Sequence, residues 1–254
     1  AWRSGDMRYT QIAWDDLYHT NRVQADGAAA YFVENRRTNN QCYVLNLDLT
    51  TQLRGVELEY GLHLLARNDR CFKLADDLLG ADHLLDIDYF VRDDATYSTK
   101  YRNNIQTDDV VVEQGKRFGY DYTLFELMAS LYGVARWRAW DMDFELGVEL
   151  SSSVVGRRGH FEKELFSGSR SYGRSKSVLL YPAKLSLLWD YDFGRNSLNA
   201  MMFIGSNTPE SENLFLQPQY NNRLVDSPQL STVAATEVGY TLLLPKFNFS
   251  ASLY

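Results

Sequence analysis

Proline is scarce in this sequence, with 5 among 254 residues, and cysteine is scarcer, with 2. No stretch approaches the roughly 18 consecutive apolar residues of a membrane-spanning helix. That excludes a helical membrane protein but not a membrane β-barrel, whose spans alternate and average out as polar. A mean hydropathy of -0.36 fits a barrel as well as a soluble protein. No basic block is present and the net charge is -7, so nucleic acid is not expected as a partner. The first residues have neither the charged nor the apolar region of a signal peptide. The start at Ala1 and the finish on apolar Leu253-Tyr254 both read as cuts. Cys42 and Cys71 belong to no CxxC, and no HxxxH occurs, so a zinc site is not expected. Nor does their spacing fit a catalytic thiolate signature. Aromatics are plentiful at 14%, too rich for a disordered chain.

The dominant signal is alternation with a period of two, the mark of strands with two unlike faces. Leu45, Leu47, Leu49 and Leu53 alternate with Asn46, Asp48, Thr50 and Gln52. After Arg54-Gly55, Val56, Leu58, Tyr60, Leu62 and Leu64 alternate with Glu57, Glu59, Gly61 and His63. The same pattern recurs through Phe125–Leu131, Met142–Leu150, Leu185–Phe193, Leu198–Ile204, Glu237–Leu244 and Phe247–Leu253. A weaker strand is expected around Ala28–Arg37, for about nine in all.

The links alternate strictly in length. Short turns are expected at Arg54, near 136–139, at Gly194 and at Pro245; long links span 67–117, 157–176 and 207–232. Short turns at one end and long loops at the other are the plan of a membrane barrel. Strands of ten or more residues also suit a tilted crossing of about 9–11 residues. The expected fold is therefore all-β: an antiparallel transmembrane β-barrel segment with short periplasmic turns and long outer loops. Trp137, Trp140, Trp189, Tyr191 and Phe193 flank short turns on the apolar side, as an interfacial girdle would. The acidic residues Asp48, Glu57, Glu59, Glu126, Asp143, Glu145, Glu149, Asp190 and Asp192 share the other face. A soluble all-β ligand- or glycan-binding module is the alternative.

Several segments carry a resemblance. Gln11-Ile12-Ala13-Trp14-Asp15-Asp16-Leu17-Tyr18, Asp77-Leu78-Leu79-Gly80 followed by Leu85-Asp86-Ile87-Asp88, and Phe118-Gly119-Tyr120-Asp121-Tyr122 are three of them. Arg157-Arg158-Gly159-His160 with Ser171–Lys176, and Thr236-Glu237-Val238-Gly239-Tyr240, are the others. In this order they resemble TonB-dependent outer-membrane receptors of the Bacteroidetes type, with Ala13 where those have Asp. The resemblance implies the outer membrane as location and a 22-stranded barrel around a plug, of which residues 1–254 would be a barrel part without plug or TonB box. It also implies energy from TonB–ExbB–ExbD, outer-membrane lipid around the wall, a small nutrient ligand and a possible surface lipoprotein partner.

Candidate ligand-facing residues lie in the long links. The acidic stretch 76–94 offers Asp86, Asp88 and Asp93 among seven aspartates, oxygens of the kind Ca²⁺ takes, without EF-hand spacing. The second link is basic, with Arg157, Arg158, His160 and Arg174; it suits lipopolysaccharide phosphates or an anionic ligand. No spacing selects a nucleophile, and no enzyme, cofactor or metal is expected. Cys42 and Cys71 fall near the outer ends of neighbouring expected strands, so a disulfide is expected as a possibility.

Overall fold

The computed structural model describes residue 3, residues 11–170, the stretch 176–180 (176–179 as backbone) and residues 182–254. In chain order, α1 (Trp14–Arg22) leads into β1 (Val33–Leu53) and β2 (Val56–Asp77). The first long loop carries β3 (Leu84–Leu85), α2 (Tyr89–Arg92) and β4 (Val111–Val112). Then come β5 (Arg117–Ala139), β6 (Met142–Gly159), β7 (Lys176–Leu180), β8 (Ala183–Phe193), β9 (Asn196–Asn207), β10 (Ser231–Leu244) and β11 (Phe247–Leu253).

The main sheet is an antiparallel meander, β1-β2-β5-β6-β8-β9-β10-β11, with β7 also on β6. β7 and β8 are one strand in effect. Ser153 opposes Leu180 and Leu150 opposes Ala183, so the register on β6 is unbroken. Pro182, which has no N–H to donate, marks the gap, and its carbonyl still accepts from Ser151 N at 2.9 Å. Among the described residues β1 and β11 do not pair, so the sheet is open.

All four hairpins turn in two residues: Arg54-Gly55, Trp140-Asp141, Gly194-Arg195 and Pro245-Lys246. Arg54 and Gly55 have positive φ (51° and 85°), which matches the twist of paired strands. The second turn lies at Trp140-Asp141, also left-handed at 53° and 61°, and not at 136–139. Trp140 is therefore a turn residue, 85% exposed, rather than part of a strand face. The expected strand at 28–37 is no separate element: its second half is the start of β1. Strands also overrun the expected ends, so the three long loops shrink to 78–116, 160–175 and 208–230.

The register gives the sheet two faces without a mismatch. One row runs Leu47, Leu62, Leu131, Leu150, and another Leu146, Leu187, Met202, Thr236. The row behind the first runs Asp48, Gly61, Tyr132, Glu149, Lys184. A slip by one residue would exchange the faces, so this agreement fixes the register. The apolar face is bare: Leu47, Leu131, Leu150, Leu185 and Ile204 are all exposed, and no described element covers them. From Tyr43 to Leu53 this band is ten residues tall, about 34 Å along the strand. At a tilt of about 40° that is about 25 Å, the height of a barrel's lipid-facing band.

Candidate functional site: the loop end of the sheet

The buried clusters lie at the loop end, on the polar face. Leu214 and Phe215, from the third loop, pack on Cys71, Tyr122, Leu124, Val155 and Leu180. A second cluster joins Ala29, Ala75, Leu78, Leu84 and Phe118. The segment before β1 belongs here too. Buried Asn21 donates to the carbonyls of Tyr31, Leu78 and Leu79 and accepts from the N–H groups of Ala30 and Tyr31. It staples α1 and the approach to β1 onto the first loop.

The centre of the assembly is a bulge in β5. Pairing with β2 shifts between Phe72 and Lys73, which leaves Gly119 and Tyr120 out of the ladder, with Gly119 at φ 71°. The freed backbone groups are taken by side chains from two loops. Gly119 N donates to Asp86 Oδ1 at 2.7 Å, and Gly119 O accepts from Lys163 Nζ at 2.7 Å. Asn103 bridges them, donating to Asp86 Oδ1 at 3.0 Å and accepting from Lys163 Nζ at 2.6 Å. Lys163 also lies over the Tyr220 ring of the third loop, at 5.0 Å. Asp86 is 7% exposed and Lys163 6%. Burial pushes the Asp86 carboxyl above its ordinary value, against the Gly119 and Asn103 donors. Burial pushes the Lys163 ammonium down to about 8, against the pull of Asp86 and Asp88.

A second cluster sits on the apolar side of the wall, beyond the apolar band. Buried Asp121 receives both Arg70 Nε and Nη2, at 2.9 and 2.8 Å, and Arg117 Nη1 at 2.9 Å. Arg117 stacks over Phe72 at 4.4 Å. His160 meets Thr123 Oγ1 through Nε2 at 2.9 Å. Burial, helped by the guanidiniums of Arg70, Arg158 and Arg117, holds its imidazole below the ordinary value; Asp121 opposes this.

Lower on the polar face, Arg136 clamps Glu145 at 2.6 Å, Glu59 at 2.8 Å and Glu57 at 3.2 Å. Tyr132 Oη reaches Asp48 at 2.6 Å. A Cβ at Gly61 would sit 2.7 Å from the Tyr132 ring, so glycine is what lets the ring cross β2. A hollow of about 440 Å³ opens beside the clamp, lined by Glu57, Arg136, Asp143, Glu145 and Asp190.

No protein-family model matches the sequence, and no curated protein matches it. Among solved structures, one described as "Copper transporter OprC" superposes on 86% of this chain with a TM-score of 0.56 and 11% identity. The fold is an all-β, barrel-like antiparallel sheet of the kind that structure contains. The likeness concerns fold alone, and this chain spans 29% of that one.

Placed on this wall, the expected ligand-facing residues separate. Asp86 is turned inward to the bulge. Asp88 caps α2, accepting from Phe90 N and Val91 N at 3.1 and 3.3 Å. Asp93 is exposed and pairs with its neighbour Arg92. The aspartates of 76–94 do not gather: among the described residues no three His, Cys, Asp or Glu side chains come together as a metal site. Arg157 is 2% exposed and is held by the carbonyls of Pro218 and Ser169, by Asn222 and by the Tyr122 ring. It ties the third loop to the wall instead of facing a ligand. Arg158 is exposed and Arg174 lies outside the described residues. The disulfide is not formed. Cys42 opposes Arg67 while Cys71 opposes Thr38, so four residues of register, about 14 Å, separate them. Sequence reasoning missed Asn21, Asn103, Gly119's bulge and the Asp121 pairings, whose partners are remote along the chain.

Proposed function

We propose that this chain forms part of the wall and outer mouth of a TonB-dependent outer-membrane transporter that takes up a small nutrient. The observation that carries the reading is the bare apolar face: continuous over eight strands and about 25 Å tall on β1, with every two-residue turn below it and every long loop above it. A soluble sheet has to cover such a face, because exposed apolar patches beyond a few hundred Å² mark a binding or membrane surface. The likeness to a transporter supports transport as the activity, and the ordered motifs support energy supplied by TonB–ExbB–ExbD. In this reading the long loops are extracellular and the polar face lines the interior. A surface lipoprotein would meet the exposed loop tops around α2. The bare apolar face is what leads us to read the chain as a transporter and not an enzyme. Copper, the cargo in the neighbour's name, is not carried over, since the described His, Cys, Asp and Glu side chains form no metal cluster.

The test is purification with and without detergent. A β-rich species whose gel mobility changes on heating in detergent, and which aggregates in plain buffer, supports the wall. A monomer folding cooperatively in plain buffer removes it and favours a soluble ligand- or glycan-binding module.

A further inference from the structure

The upper part of the inward face carries polar groups that neither the bulge nor the loop packing uses. Arg36 on β1 opposes Lys73 on β2, which opposes Phe118 on β5, so the three share one row. Like charges directly opposite each other repel, and a single carboxylate serves both. Glu34 accepts from Arg36 Nε at 2.6 Å and from Lys73 Nζ at 2.8 Å. One positive charge is left in excess, and it falls to the more exposed partner: the Arg36 side chain is 69% exposed, that of Lys73 19%. Arg36 spends only Nε on Glu34. Its two Nη groups have no partner among the described residues.

Two tyrosines stand beside this fork. The bulge that frees Gly119 also takes Tyr120 out of the ladder, and bulges re-aim side chains. Tyr120 is half-buried against the cluster that seats Leu214 and Phe215, with Lys73 Nζ 5.5 Å from its ring centre. Tyr220 comes from the third loop, half-buried, backed by Lys163 at 5.0 Å and by Phe166 at 6.1 Å. The charge of Arg36 is felt at both rings, and the two phenols are within electrostatic reach of each other. Neither phenol hydroxyl has a hydrogen-bond partner among the described residues.

The sign of the charge sets this region apart from the wall beneath it. Here Arg36, Lys73, Arg157 and Lys163 stand against Glu34, Asp86 and Glu212. Lower on the same face Asp48, Glu57, Glu59, Asp143, Glu145 and Asp190 outnumber Arg136 and Arg138. An anion is therefore favoured at the mouth and disfavoured below it.

We propose that Arg36, Tyr120 and Tyr220 form a subsite for the carboxylate of a ring-bearing acidic ligand. The proposal rests on reading this face as the inside of a transporter, and it names the class of the cargo. The free side of the guanidinium accepts a carboxylate through two parallel N–H donors. The phenol hydroxyls donate to its remaining lone pairs, and the tyrosine rings cover the ring of the ligand. An aromatic acid and an acidic sugar share this chemistry.

The experiment uses the protein purified in neutral detergent, with binding read by ligand-observed NMR. The probes are 4-hydroxybenzoate and galacturonate, each beside its uncharged amide, and inorganic phosphate as a bare anion. The expected result is that one of the acids binds about tenfold or more tightly than its amide, and that Arg36→Gln removes this preference while leaving the amide unchanged. Which acid is preferred decides between the two sources. Tyr120→Phe/Tyr220→Phe should weaken the same acid severalfold by removing two donors. Arg36 holds only Glu34, and β1 keeps its 21-residue ladder, so Arg36→Gln should retain the heat-dependent gel mobility of the parent. Equal binding of both acids and their amides overturns the proposal. So does an acid preference that survives Arg36→Gln, and so does displacement of the acid by phosphate at the same concentration, which would mark a site for any anion. If the parent shows no heat-dependent mobility, the transporter reading itself has failed; if it does and no acid preference is found, this subsite alone is wrong.

Discussion

Replacing Leu131 with arginine sets the membrane reading against the soluble one. Leu131 stands between Leu62 and Leu150 on the apolar face, four residues below the top of the band and six above its lower edge. It is 65% exposed. In water an exposed leucine away from any special contact can be exchanged within about 0.5 kcal/mol. Near the midplane of a bilayer, an arginine on the lipid face of a barrel costs about 2–4 kcal/mol, falling to about 0–1 near the interfaces. Leu53→Arg provides the internal control, because Leu53 lies on the same face at the lower edge of the band. The assay is guanidinium unfolding of protein folded into phosphatidylcholine vesicles, followed by tryptophan fluorescence. The expected result is a loss for Leu131→Arg exceeding that for Leu53→Arg by about 2 kcal/mol. Two variants that match each other to within about 0.5 kcal/mol would refute the depth argument and with it the lipid-facing assignment.

Lys163 makes the loop assembly sensitive to alkaline pH. Its folded value, about 8, is below the ordinary lysine value of 10.5. Between these values the released loops hold more protons than the packed ones, so packing strengthens as pH rises from 8 towards 10.5 and that contribution is lost as pH falls through about 8. Limited proteolysis of the loops should slow across that window, and Lys163→Met should flatten the trend; a parent profile without a slope would contradict it. Asp86 works in the acid range with the opposite sign: its raised value favours packing below the ordinary carboxylate value and loses that contribution as pH climbs past its folded value. For the thiols, a hydrophilic maleimide should label exposed Cys42 in the folded protein and buried Cys71 only after denaturation. A reduction-dependent mass shift of two hydrogens would show the disulfide after all. Asn21→Ala removes five hydrogen bonds from a buried site, on the order of 3 kcal/mol of local stability. Cleavage within 23–32 should accelerate while the hairpins stay intact, and an unchanged cleavage pattern would show that the staple is dispensable.

The parts of the fold legible in the sequence are those where the two faces differ. Between Leu45 and Leu64, lipid-like and water-like surroundings alternate, so residue types alternate with them. Beyond the apolar band both faces are polar. Arg67-Asn68-Asp69-Arg70 therefore carries no period-two signal although it lies mid-strand in β2, and the strand was expected to end there. The Trp140-Asp141 turn was misplaced for a different reason: a bulky residue rarely takes positive φ, so nothing local marks it as a turn. At the site, composition does not report burial. Asp86 reads as an acidic, ligand-seeking residue because its charge is local information. Its burial depends on a bulge at Gly119, 33 positions away. Cys42 and Cys71 do lie on neighbouring strands, and only the register, set by the Arg54-Gly55 turn, keeps them apart.

The unequal heights of the strands connect these observations. With 22 residues, β2 rises about 57 Å at barrel tilt, more than twice the apolar band, whereas β9 with 12 residues rises about 31 Å. The surplus of β1, β2, β5 and β6 stands clear of the band, and it is used on both sides. Outward it carries the arginines around Asp121; inward it carries the bulge and the apolar seat of Leu214 and Phe215. Three loops converge on that inward side through few contacts, of which Lys163 touches all: Asn103 in the first loop, Gly119 in the wall and Tyr220 in the third. Loops joined in this way loosen together. The bulge at Gly119, rather than any loop tip, is where the first and second loops are tied to the wall.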